Sequence, residues 1–351
     1  MKDLLTSSFG NFTRFIRAHI FFLSLFCFTI LTACNSDKTK KKQAASFLSA
    51  RDVVQLNQLV YKDTVNETFA KYAPGYDIVY LPKAVNGNYA IIVKNKTVEQ
   101  YALIIRGSVL KFSNAGFQNF ILQDFNIFTI RSWNYADTVK QAYISDGAFT
   151  GFQNLLQLKD ITTGLSIKEF IETKIPVGAS IVITGHSLGG NLAYPLAGYL
   201  RKELPADKKN NLQLITFGAP AAGNDAFVQD MEEKFPAAER YITDKDIAPV
   251  FPDIEKINEL AKMIGLDSVL QINNYINAGD LLNIAGKILE ETNIINKTNK
   301  YVQSQKHLRL LTTEDSASSG NALSVNAIFE KAYRFHKIDT YAELLGGKAI
   351  D

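Results

Sequence analysis

Residues 180–200 read SIVITGHSLGGNLAYPLAGYL. The first five, Ser180 to Thr184, are a short apolar run rich in β-branched side chains, as in a strand buried on both faces. The last ten, Asn191 to Leu200, are compatible with a helix. Between them lies Gly185-His186-Ser187-Leu188-Gly189, with Gly190 following. A G-x-S-x-G match between a strand and a helix is the setting of a nucleophile elbow. A serine there sits on a tight turn, flanked by glycines because neighbouring backbone passes too close for a Cβ. The turn exposes the hydroxyl beside the positive end of a helix. A plain glycine-rich strand-to-helix turn is the competing reading, and the strand and helix on either side favour the elbow.

Working outward, two further runs share this character. Tyr101 to Ile105 (YALII) leads into Arg106-Gly107-Ser108, and Leu212 to Phe217 (LQLITF) leads into Gly218-Ala219-Pro220. Phe47 to Val60 carries apolar residues at helical spacing. Strand, small-residue turn and helix in alternation predict an α/β fold, with a mostly parallel central sheet and helices on both faces. The rhythm pauses at 253–300. Ile254 to Leu266 and Ala278 to Leu289 are amphipathic there, which predicts a helical insertion. No internal repeat is present.

The chain has 351 residues, 46% of them apolar and 21% charged, so its composition is that of a globular protein. Lysine plus arginine number 38 against 35 aspartate plus glutamate, a formal charge of +3. That balance argues against nucleic acid as a partner. The two cysteines, Cys27 and Cys34, both lie near the N-terminus. The body of the protein therefore has neither a disulfide framework nor a cysteine-based metal site.

Arg14 and Arg17 precede the uncharged run Ile20 to Ala33 (IFFLSLFCFTILTA). A basic segment, an apolar stretch and small residues at its end describe a secretory signal peptide over 1–33. An uncleaved anchor helix is the alternative, but the run is short of the ~20 apolar residues that a membrane span needs. Leu31-Thr32-Ala33-Cys34 resembles the lipobox of bacterial lipoproteins, in which the cysteine thiol is acylated and the chain is cut before it. That resemblance implies a lipidated Cys34 and an exported protein held on a membrane of the bacterial cell envelope. Residues 34–46 are polar and lysine-rich and read as a flexible tether. The folded domain is expected over 47–351.

A nucleophilic serine needs a base, and the chain has four histidines. His19 leaves with the signal peptide, and His186 adjoins Ser187, so its side chain is expected to diverge from the nucleophile. His307 lies in Lys306 to Leu311 (KHLRLL), which reads as a strand. His336 follows an apparent helix (AIFEKAYRF) and opens His336-Lys337-Ile338-Asp339-Thr340-Tyr341. A base on a loop at a helix boundary favours His336 over His307. For the orienting carboxylate, the chain order Ser, acid, His selects Asp246, at the end of the strand-like Arg240-Tyr241-Ile242. Asp244 competes with it and otherwise reads as a solvated turn residue. The oxyanion hole calls for the Leu188 N–H and a donor from the turn after an earlier strand, here Ser108.

Together these blocks resemble the class 3 lipase family, the fungal-lipase-like branch of the α/β-hydrolases. The matching stretches are IIRGS (104–108), TGHSLGG (184–190), ITFGAPAAGN (215–224), DKDIAPVFP (244–252) and HKIDTY (336–341), in family order. The resemblance implies Ser187 as nucleophile, Asp246 as acid, His336 as base, and Ser108 and Leu188 at the oxyanion. It implies hydrolysis of a lipid or other acyl ester, with no metal and no organic cofactor. It also makes His307 a structural histidine on a strand. The chain departs from the family at Val109 to Gln118, at Ala148-Phe149, at Ala221 and in the 253–300 insertion. Residues 109–128, with Phe112, Phe117, Phe120, Phe125 and Phe128, and residues 253–300 are expected to wall or cap the acyl pocket. Phospholipase or non-lipid esterase activity on the same triad is an alternative reading. A different class of alternative is a surface-binding lipoprotein whose hydrolase fold is inactive.

Overall fold

The computed structural model describes residues 46–107, 129–137, 141–253, 256, 259–260, 301–314 and 333–350. They belong to a compact unit spanning Ala45–Asp351. The expected signal peptide, Cys34 and most of the tether lie outside the described residues. So do Ser108, the five phenylalanines of 109–128 and almost all of the 253–300 insertion.

The chain opens with helices α1 (Ala50–Leu59) and α2 (Val65–Tyr72), then strands β1 (Tyr76–Tyr80), β2 (Ala90–Asn95) and β3 (Gln100–Ile105). Strands β4 (Ile130–Ser132) and β5 (Tyr143–Ser145) precede α3 (Asp146–Leu156) and α4 (Ile167–Lys174). Next come β6 (Ser180–His186), α5 (Leu188–Glu203), the short α6 (Ala206–Lys209) and β7 (Leu212–Phe217). Strand β8 (Gly223–Asn224), α7 (Asp225–Lys234) and β9 (Glu239–Thr243) follow. Last are β10 (Tyr301–Val302), β11 (Leu308–Leu311) and α8 (Ile338–Leu344).

A seven-stranded sheet runs β1-β2-β3-β6-β7-β9-β11. The β1-β2-β3 portion is antiparallel, and every pair from β3 to β11 is parallel. The three runs read as buried strands are therefore neighbours, β3-β6-β7. Strand β6 extends two residues past Thr184. Gly185 pairs with Ile105 and Thr216, and His186 pairs with Phe217, so the ladder carries the chain up to Ser187. A second, four-stranded sheet of order β10-β8-β5-β4 was not foreseen. Its strands are two or three residues long, too short to show a period.

Alternate residues of the parallel strands feed two cores. Leu103 and Ile105 of β3 join Leu192, Leu196 and Leu200 of α5 and Phe152, Phe170 and Phe227 on one face. Ala102 and Ile104 join Val53, Leu56 and Leu59 of α1, Phe69 of α2 and Tyr341 of α8 on the other. Helices thus cover both faces. Helix α1 starts later than Phe47 because Ser49 and Asp52 form a reciprocal capping box there. Its buried Asn57 donates Nδ2 to Thr184 Oγ1 at 2.9 Å, pinning α1 to the middle of β6.

At the crossing from β6 to α5, a Cβ on Gly185 would lie 2.2 Å from the Gly189 carbonyl carbon. Backbone stands opposite, so a side chain cannot be accommodated by a rotamer change. Gly185→Ala is expected to cost ~3 kcal/mol or more and to lower the thermal midpoint by ~6 °C or more. Gly75→Ala, at an exposed site with nothing within 4 Å, should leave it unchanged. Differential scanning calorimetry of the two variants checks both statements.

Candidate active site

Ser187 stands between the end of β6 and the first residue of α5, at φ 58° and ψ −129°. A non-glycine residue with positive φ costs ~1–3 kcal/mol and persists only where its surroundings dictate it. Here the Ser187 N–H donates to the Phe217 carbonyl at 3.0 Å, and its own carbonyl accepts from Asn191 N–H at 3.0 Å. Asn191 Nδ2 in turn donates to the Ala221 carbonyl at 3.1 Å, fastening α5 to the turn after β7. The forced turn directs the Ser187 hydroxyl away from the strand. The Leu188 N–H, at the first helical position, is one that the helix's own ladder leaves unused.

His336 ends a helical turn at 333–336, and its Nε2 lies 2.8 Å from Ser187 Oγ. Its Nδ1 lies 2.8 Å from Asp246 Oδ2 and 3.0 Å from Oδ1. An ionised carboxylate only accepts, so Nδ1 carries the proton and the Nε2 lone pair faces the serine hydroxyl. Asp246 follows β9 and precedes a short 3₁₀ turn, Ala248–Val250. It is 1% exposed. Two further donors satisfy it: the Tyr341 hydroxyl at 2.6 Å to Oδ2 and the Ala248 N–H at 2.9 Å to Oδ1. Gly218, at φ +55°, leaves the room the pair needs. A Cβ there would come within 2.9 Å of Asp246 Oδ2 and 3.2 Å of His336 Nδ1.

Ser187, Asp246 and His336 are thus brought into one hydrogen-bonded row, with Leu188 beside them. Asp244 faces elsewhere, accepting from Thr313 N–H at 3.0 Å and Thr313 Oγ1 at 2.7 Å. His307 precedes β11, beside Arg240 near the start of β9. Asp246 lies past the other end of β9, so His307 is remote from the row. Its buried ring nitrogens have no hydrogen-bond partner among the described residues, and burial lowers its pKa. Among the described residues, no group of three His, Cys, Asp or Glu side chains is disposed to hold a metal ion.

Three residues of the site went unrecognised in the sequence. Tyr341 lies five residues past His336 in the quoted HKIDTY stretch, yet nothing in the pattern assigns it to Asp246. Tyr61 lies 125 residues before the histidine whose Nδ1 it meets at 3.1 Å, so no local signal exists. His186 itself does not simply point away. Its ring is 4.7 Å from the His336 ring, and its Nε2 lies 2.6 Å from the His336 carbonyl. Burial, then the neighbouring His336, holds the His186 pKa well below the ordinary histidine value. Burial and the Asp246 charge hold the Tyr341 hydroxyl well above its ordinary value, so it remains a donor.

Residues 116–256 match the family model described as lipase (class 3). That stretch, less than half of the chain, is similar to class 3 lipases. It includes Ser187, Leu188 and Asp246 and stops short of His336, which joins the row through geometry alone. A 74-residue stretch is 40% identical to secreted mono- and diacylglycerol lipase 1 of Fusarium solani, covering 21% of this chain and 20% of that protein. The alignment thus spans about one fifth of the length of that curated relative. The crystal structure of M37 lipase superposes with a TM-score of 0.64 at 20% identity, over 86% of this chain and 94% of that one. That likeness establishes the α/β-hydrolase fold.

The depressed His186 and His307 values fix a direction for stability. Both histidines bind protons more readily in the unfolded chain, so stability falls as pH drops below about 6.5. His186, whose shift is large, contributes a slope approaching ~1.4 kcal/mol per pH unit. His186→Gln removes one of these contributions. Urea midpoints between pH 7.5 and 5 should therefore decline less steeply in the variant. Parallel lines for the two proteins would show that His186 is not held neutral.

Proposed function

We propose that this protein is a serine hydrolase that cleaves carboxylic esters of lipids through an acyl-enzyme. The observation that carries this reading is the Nε2 of His336 at 2.8 Å from Ser187 Oγ, with Nδ1 on a buried, fully hydrogen-bonded Asp246. Ser187 Oγ attacks the ester carbonyl carbon as its proton passes to His336 Nε2. The resulting oxyanion accepts from the Leu188 N–H and, on the family resemblance, from Ser108. Removing one such donor costs ~3 kcal/mol of barrier. His336 then protonates the alkoxide oxygen as the C–O bond breaks. A water, giving its proton to the same nitrogen, attacks the acyl carbon and releases Ser187. Asp246 holds the ring in the required tautomer and offsets its positive charge.

Similarity to the Fusarium mono- and diacylglycerol lipase makes mono- and diacylglycerols the first substrates to assay. A phospholipid and a short water-soluble ester separate the alternative readings.

On sequence alone we read 1–33 as a lipoprotein signal peptide, Cys34 as the acylated residue and 34–46 as the tether to a bacterial envelope membrane. Two or more acyl chains give stable anchoring. The Ser46 carbonyl accepts from Gln100 Nε2 at 2.8 Å and Ser180 Oγ at 2.7 Å. Ser180 opens β6 and Ser187 follows its end, so Ser46 and Ser187 stand at opposite ends of one strand.

Incubation with a fluorophosphonate probe, with and without detergent micelles, followed by peptide mapping, tests the chemistry. The expected adduct is on Ser187, is lost in Ser187→Ala and is slowed by at least ~10³-fold in His336→Ala. A folded protein that takes no label in either condition would instead favour the inactive, binding lipoprotein. For the anchor, Cys34→Ala should move the protein from the membrane to the soluble fraction. Unchanged fractionation would rule out acylation as what retains it.

A further inference from the structure

The described residues next to the base, 333–336, are helical, and the last carbonyls of a helix have no partner within it. The Tyr333 carbonyl accepts from Lys337 N–H at 3.0 Å. The next three each accept from a different side chain. Arg334 O takes Thr340 Oγ1 at 2.6 Å, Phe335 O takes Thr243 Oγ1 at 3.1 Å, and His336 O takes His186 Nε2 at 2.6 Å. The last contact is the shortest link from the nucleophile's own strand to the backbone of the base.

A carbonyl only accepts, so His186 Nε2 carries a proton. The ring is held neutral, which makes Nδ1 an acceptor. Its partner is the Tyr61 hydroxyl at 3.1 Å. The Tyr61 oxygen accepts in turn from the Gly107 N–H at 3.1 Å, in the turn after β3 from which the second oxyanion donor is expected. The chain is therefore directional: Gly107 N–H to Tyr61 Oη, Tyr61 O–H to His186 Nδ1 with the His186 carbonyl as a second acceptor at 3.3 Å, and His186 Nε2–H to the His336 carbonyl. It is buried on one side by the Tyr341 ring, 5.9 Å from His186.

We propose that His186 and Tyr61 are a pair of positioning residues for the reaction. They set the distance between His336 and Ser187 by tying the backbone of the base to the nucleophile's strand and to the oxyanion turn. Neither touches the reacting atoms. Neutrality of His186 is part of the role, because a second imidazolium 4.7 Å from His336 would oppose the charge that His336 acquires during turnover. This inference rests on the serine-hydrolase reading above.

The test uses the full chain and three variants. His186→Phe keeps an aromatic ring and removes both polar links. His186→Gln restores an N–H near the place of Nε2. Tyr61→Phe breaks the chain one step away and leaves His186 itself intact. With a soluble ester, His186→Phe is expected to lower kcat by roughly 30–100-fold with KM within about 3-fold, because ångström misplacement of a base costs on that order. His186→Gln should recover at least about 5-fold of that loss. Tyr61→Phe should lower kcat roughly 10-fold, again with KM nearly unchanged. Equal losses in His186→Phe and His186→Gln, or a Tyr61→Phe variant indistinguishable from the parent, would overturn the proposal.

One arm is independent of catalysis. Nitrogen-15 spectra of the imidazoles in the parent protein should report His186 as the neutral Nε2–H tautomer at pH 6. An Nδ1–H tautomer or a charged ring there would overturn the proposal even if every variant lost activity. A parent protein that shows the Nε2–H tautomer but turns over no ester would instead count against the hydrolase reading.

Discussion

The backbone at Ser187 is the constraint to which the rest of the structure answers. A positive φ at a residue with a side chain is unfavourable in isolation. It is imposed here by β6 continuing in register with β3 through Gly185 and with β7 through His186, and by α5 beginning at Leu188. The close approach of Gly185 to Gly189 is what permits that reversal. Backbone packing is less adaptable than side-chain packing, because no rotamer change relieves it. Ser187 is therefore fixed by the central strands rather than by anything in a loop.

The segment that carries His336 and Tyr341 lies outside the sheet and is fixed from the opposite core. The stretch that contains α1 runs from Ser46, at the start of β3 and β6, to Tyr61, beside His186 at the end of β6. Its Gln58 Nε2 donates to Asp339 Oδ1 at 2.6 Å and to the Lys348 carbonyl at 3.2 Å. The Lys62 ammonium donates to the Ile350 carbonyl at 2.9 Å. The C-terminal segment that carries Tyr341 is thus tied to α1. Because α1 is itself pinned to β6 through Asn57 and Thr184, the base follows the position of the nucleophile's strand.

How much of this was legible in the sequence depended on whether the determinant was local. Strands β3, β6 and β7 and helix α5 announced themselves, because burial on both faces imposes unbroken apolar runs. Asp246 and Asp244 were separable only by chain order and loop position, yet their partners differ completely: His336 and Tyr341 for one, Thr313 for the other. The four-stranded sheet left no trace, since Gly223 and Asn224 offer no period to read. His186 was set aside on the argument that adjacent side chains on a strand diverge. They do diverge, but the base is carried in from a distant segment and meets both. Its backbone meets His186 and its side chain meets Ser187. No pattern of spacing encodes that meeting.

The electrostatics of the row follow from the same arrangement. Asp246 is buried, and a buried carboxylate is tolerated only when its lone pairs are occupied. Tyr341, Ala248 and His336 occupy them, and Tyr341 stays a donor because burial beside Asp246 raises its pKa. In the proposed reaction one negative charge is thus kept in place to meet one positive charge, formed when His336 takes the serine proton. A second cation at His186 would disturb that balance, and burial removes it by favouring the neutral ring. The histidine beside the nucleophile is thereby left with one N–H to give and one lone pair to offer, and the His336 carbonyl and the Tyr61 hydroxyl take them up. Neutrality and positioning are then consequences of one buried site: the ring is neutral because it is enclosed, and it is enclosed by the groups that it orders.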